Sequence, residues 1–143
     1  MTNEQEQKLI LATEEGLKNA YTKNYNKDSR VGASVLTDKG NIYSSGNYTS
    51  DTGSLTLHGE QAVLAHSASH GEYGIVAIAI AGNERALSKN HNQTIYPCHM
   101  CKQLVWESCL KSGINTEILL VQNGKVVERM FIKDIMNYAW PNG

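Results

Sequence analysis

The sequence predicts one α/β domain spanning residues 1–143, a mixed sheet with helices on its faces. Three observations carry that reading. Ile75-Val76-Ala77-Ile78-Ala79-Ile80-Ala81 is a continuous apolar run rich in branched side chains, the pattern of a strand covered on both faces. Turn signals at Asp38-Lys39-Gly40 and Asn123-Gly124 fold two further pairs of short runs into hairpins. Helical periodicity fills the intervals, so the element order reads α–β–β–α–β–α–β–β–α.

Residues 4–21 place Ile10, Leu17 and Tyr21 on one stripe among Glu, Gln and Lys, which makes an amphipathic helix. Asn24 to Arg30 is polar and turn-like. Val31 to Leu36 is then a strand that returns as Ile42 to Ser45. Gly46 to Thr56 is a loop of Gly, Asn, Ser, Thr and Asp. Leu57 to Ser69 is helical, with Ala62, Val63 and Leu64 on its buried side, so His58 and Glu60 fall in its first turn. Gly82 to Tyr96 is a long polar loop of the kind that forms a functional rim. Pro97 suits a helix start, which puts Cys98 and Cys101 at i and i+3 on one face of a helix ending at Gly113. Thr116 to Val121 and Lys125 to Met130 are strands, and Ile132 to Tyr138 is a short helix before Trp140. The turn at Asn123-Gly124 is too short to hold a crossover helix, so the last two strands pair antiparallel.

Composition bounds the function. At 143 residues with 41% hydrophobic content the chain can bury a real core. The formal charge is −1 and Lys and Arg are scattered. A basic stripe of the kind that tracks a phosphate backbone is missing, so no nucleic-acid polymer is expected as partner. No apolar run reaches membrane-spanning length, and Met1-Thr2-Asn3-Glu4 lacks a charged-then-apolar signal pattern. Three cysteines, two of them spaced C-x-x-C, do not form a secreted disulfide framework, and the expected compartment is the cytoplasm.

Chemistry concentrates in His58-Gly59-Glu60 and in Pro97-Cys98-His99-Met100-Cys101, which starts 37 residues after Glu60. One His and two Cys are a soft N/S donor set suited to Zn²⁺, with a fourth tetrahedral position left for water. A neutral imidazole and two thiolates balance the charge of the ion. Glu60 stands two residues from the first donor, placed for acid–base work without being a ligand. A structural zinc site is the bland alternative, its fourth ligand drawn from His99, Cys109 or His91. Cys109 reads as buried filler, and His66 and His70 as helix-surface residues.

H-x-E followed by P-C-x-x-C resembles the cytidine deaminase superfamily. The resemblance runs from the Val31-Gly32-Ala33 strand to the C-terminal helix. It implies a three-layer α-β-α fold with a five-stranded mixed sheet, Zn²⁺ on His58, Cys98 and Cys101, and Glu60 as catalytic proton shuttle. The antiparallel last strand pair implies the branch acting on free nucleosides. Asn47 stands where that branch places a ribose-contacting Asn, but Thr49 replaces its Glu, and Ser29 stands where a Phe is common. Tyr138-Ala139-Trp140 is similar to the C-terminal segment of blasticidin-S deaminase that reaches the substrate, so Tyr138 and Trp140 join Asn47 as expected substrate-binding residues. Simple packing of both rings on the sheet is the competing reading. The family implies a homotetramer, or a dimer.

The expected activity is thus zinc-dependent hydrolytic deamination of a cytosine nucleoside or analogue, with pyrimidine salvage as the role. Its alternative is a blasticidin-S-type deaminase conferring antibiotic resistance. Free-base deamination, nucleic-acid editing and a non-catalytic zinc module rank lower.

Overall fold

A computed structural model describes residues 1–87 and 95–143. A five-stranded sheet runs in the order β2-β1-β3-β4-β5, with β1 Val31–Thr37, β2 Ile42–Gly46, β3 Ile75–Gly82, β4 Glu117–Gln122 and β5 Lys125–Phe131. β3 and β4 are parallel and every other pair is antiparallel, including the expected last pair. The turn between them holds Asn123 and Gly124 at positive φ, as a tight hairpin requires.

The period of two along the strands sorts the core into two layers. Ile78 and Ile80 of β3 and Ile118 and Leu120 of β4 face α2 (Gly59–Ser69), α4 (His99–Ser112) and α5 (Ile132–Ile135). Ala77, Ala79, Ala81, Leu119 and Val121 face the opposite way, against Leu9 and Ile10 of α1 (Asn3–Lys18). Helices therefore cover both faces, and β3 is buried along nearly its whole length. Cys109 is apolar filler at 1% exposure, while His66 and His70 lie on the surface of α2.

Several boundaries differ from the sequence reading. The stretch after β3 contains a one-turn helix, α3 (Glu84–Leu87), where a loop was expected. Asn83 starts it, its Oδ1 accepting from Ala86 N–H at 3.0 Å. A single turn is too short for periodicity to reveal. The last helix stops at Ile135 rather than Tyr138, because Met136 leaves helical geometry and Tyr138 takes a φ of +55°. The first helix ends at Lys18 rather than at Tyr21, which instead forms a bridge to Tyr48. The expectation for His91 lies outside the described residues. Among the described residues, no helix is long and apolar enough to cross a membrane.

Candidate active site

Two helix starts converge here. His58 is the N-cap of α2 and Cys98 the N-cap of α4, both in extended backbone. The sequence placed each inside the first helical turn; the helices start two residues later, and the difference matters. Extended backbone at the cap turns both side chains across the gap, while Cys101, in the first turn of α4, points back toward them. Pro97 consequently precedes the cap instead of opening the helix. Gln61 Oε1 accepts the His58 N–H at 2.8 Å and fixes the start of α2.

His58 Nδ1 lies 3.3 Å from Cys98 Sγ and 3.4 Å from Cys101 Sγ, and the two sulfurs are 3.2 Å apart. Tetrahedral zinc with its usual N and S bond lengths spaces such donors roughly 3.4–3.8 Å apart. The triangle fits the ion with a small expansion, and its donors are the soft set that zinc takes. These three residues form a possible zinc site, the one such cluster of three or more among the described residues. His99, between the two sulfur donors in sequence, is exposed and outside the triangle, so the fourth-ligand alternative gains nothing from it.

Glu60 is 5% exposed. Burial pushes its carboxyl up, against the opposing pull of its own backbone N–H, the Cys101 thiol and His58. Burial, reinforced by the Glu60 charge and Cys98, holds the Cys101 thiol far above the ordinary thiol range. A cation bound at the triangle would favour the ionised form of Cys101. Gly59, between donor and carboxyl, was not singled out by sequence reasoning. A Cβ there would meet the Val31 carbonyl oxygen at 2.9 Å, so glycine lets the start of α2 rest on β1.

A cavity of about 520 Å³ opens onto His58, Glu60 and Cys98 and is walled by Asp28, Ser29, Val31, Asn47, Thr49, Thr56, Ile95 and Tyr96 among others. Asn47 lines it as expected, but its amide is already engaged: Oδ1 accepts from Val31 N–H and Nδ2 donates to Thr49 Oγ1, each at 2.8 Å. Tyr138 and Trp140 do not line this cavity within one chain. They line a separate pocket with His99, Lys102 and Gln103, and Trp140 is 76% exposed. The backbone of Trp140 and Pro141 is docked on α4, where Trp106 Nε1 donates to the Pro141 carbonyl at 2.8 Å and Gln103 Nε2 to the Trp140 carbonyl at 2.7 Å. Sequence reading missed Asp28 and Thr56, and flagged Tyr96 only as the end of the Gly82 to Tyr96 rim loop. Their only signal was proximity to the motifs, and Tyr96 directly precedes Pro97.

The model of the cytidine and deoxycytidylate deaminase zinc-binding region matches residues 3–115. No curated protein matches the chain. Among solved structures, the cytidine deaminase from Burkholderia pseudomallei superposes with a TM-score of 0.77 at 23% identity, covering 98% of this chain and 100% of its own. Cytidine deaminase from Mycobacterium tuberculosis gives 0.69 at 24%, covering 93% and 94%, and that from Bacillus anthracis 0.66 at 17%, covering 94% and 89%. Likeness at these identities establishes the shared three-layer fold. Fold, matched zinc-binding region and donor triangle together define a zinc-dependent hydrolytic deaminase. Within that class, the chain belongs to the cytidine and deoxycytidylate deaminase family.

Proposed function

We propose that the protein deaminates a free cytosine nucleoside or nucleoside analogue, giving the keto pyrimidine and ammonia. The observation that carries this is Glu60, a buried carboxyl beside the donor triangle at the floor of a nucleoside-sized cavity. When bound by His58, Cys98 and Cys101, zinc supplies the Lewis acidity that makes water a nucleophile near neutral pH. Glu60 takes the proton that this water must lose and passes it to the ring nitrogen. It then carries the water's second proton to the departing amine as the C–N bond breaks.

The cavity wall favours a nucleoside over a nucleotide. Its charged or ionisable side chains include Asp28 and Glu60, and no Lys or Arg lines it among the described residues. Among the described residues a phosphate would meet repulsion from these carboxylates and find no cationic partner. Asn47, braced by Val31 and Thr49, is proposed to contact the sugar. Tyr138 and Trp140, both exposed and the latter held through its backbone carbonyl, are proposed to close the cavity of a neighbouring subunit in a homotetramer or dimer. Truncation after Met136 checks this: the folded, zinc-loaded enzyme should lose at least roughly tenfold in kcat/KM, and full activity would refute the role. A cytoplasmic enzyme of pyrimidine salvage is the proposed setting.

Blasticidin-S deamination is the second reading, favoured by the exposed Tyr138 and Trp140 and by the acidic Asp28 at the cavity wall, which suits a cationic substrate arm. Ammonia release by zinc-loaded protein on cytidine, deoxycytidine, cytosine, dCMP and blasticidin S separates the possibilities. Turnover of cytidine or deoxycytidine with little on dCMP is expected. Preference for dCMP or cytosine would overturn the nucleoside reading, and turnover of blasticidin S alone would install the second.

A further inference from the structure

We propose that Tyr96 contacts the substrate, its ring serving as the aromatic wall of the cavity, and that Glu128 is the residue that positions it. The assignment rests on the deaminase reading above and names a recognition element for that site. Tyr96 and the ligand His58 are the only ring-bearing residues in the cavity lining among the described residues. Among the described residues of one chain, Tyr96 is thus the non-ligand ring that a planar pyrimidine entering this cavity can lie against.

Both ends of that ring are held. Tyr96 directly precedes Pro97, which confines its backbone to extended conformations, and the zinc ligand Cys98 follows one residue later. At the far end, the hydroxyl donates to Glu128 Oε2 of β5 at 2.7 Å. Tyr96 is nonetheless 41% exposed. An aromatic ring that only filled the core would be covered; one left open at a cavity wall and anchored at both ends presents a fixed apolar face with little entropy left to lose. Ile95 and Val31 extend the apolar part of the wall, while Asp28, Asn47, Thr49 and Thr56 supply the polar part. That division matches a flat base carrying a hydroxylated substituent.

Steady-state kinetics of the zinc-loaded full chain, on the compound that wild type turns over fastest, test the assignment. Tyr96→Leu, close in bulk but without a ring, should raise KM roughly tenfold or more while kcat changes less than about threefold. Tyr96→Phe retains the ring but loses the bond to Glu128, so its KM should rise by the same factor as in Glu128→Ala, well short of Tyr96→Leu. Glu128→Ala should raise KM by a smaller factor, and Glu128→Gln, whose side-chain carbonyl still accepts from the tyrosine, should restore it. Zinc content and thermal midpoint measured on each variant keep folding out of the comparison. An active enzyme whose KM ignores Tyr96→Leu overturns the wall. A normal KM in Glu128→Ala overturns the positioning role. Wild type inactive on every compound refutes the deaminase reading itself, and this assignment with it.

Discussion

Glu60 and Glu72 are both buried carboxyls, and their surroundings push them in opposite directions. Around Glu60 desolvation dominates and the pKa rises. Glu72 accepts from the Thr37 hydroxyl at 2.6 Å, from the Tyr43 hydroxyl, and from Asn41 Nδ2 at 3.0 Å to each oxygen. Those donors, Thr37 and Tyr43 foremost, favour the ionised form and lower its pKa. A carboxyl lowered on folding contributes stability above its unfolded value of about 4.3, and that contribution is lost as pH falls through the lower folded value. Glu72→Gln should therefore lower the thermal midpoint at pH 7, with the gap to wild type closing under strong acid. Thermal melts across that range check it; a gap that stays constant with pH would show that ionisation is irrelevant there. Glu60 was legible because its spacing from His58 is a motif. Glu72 was not, since its donors come from a hairpin about thirty positions away and no local pattern joins them.

At the scale of elements, α1 and the first hairpin meet backbone to backbone. A Cβ on Gly32 would collide with Leu17 of α1, and one on Gly46 with Gly16 and Ala20. With Ala77, Ala79 and Ala81 on the same face of β3, the helix sits close on a small-residue surface. Gly32→Ala should cost about 2 kcal/mol, seen as a fall of roughly 5 °C or more in the thermal midpoint. Gly53→Ala, with open space around its Cβ position, should leave the midpoint nearly unchanged. Equal effects from the two would contradict the close-approach account. Strands and their pairing were readable because alternation and turn residues are local signals, and β1 to β5 fall within one or two residues of expectation. Helix ends were less so: α5 was drawn three residues too long because Tyr138 reads as helical until its positive φ is seen.

Across the whole molecule, the sheet brings two helix N-termini, 40 residues apart in sequence, to face each other with His58 and Cys98 as their caps. The positive ends of both helices favour the anionic thiolates and the carboxylate gathered there. The motif named the donors and Glu60 before any fold was known, but not the walls. Asp28, Thr56 and Tyr96 come from three separate segments that meet only in the folded chain. In the proposed mechanism the triangle holds zinc while Glu60 moves protons without being a ligand. The most direct test is ammonia release by wild type and Glu60→Gln on the compound wild type uses best, with zinc measured in both. One zinc per chain in each protein and a loss of about a hundredfold or more in kcat for the variant is the expected result. A variant that keeps its activity, or one that loses zinc along with it, would contradict the account.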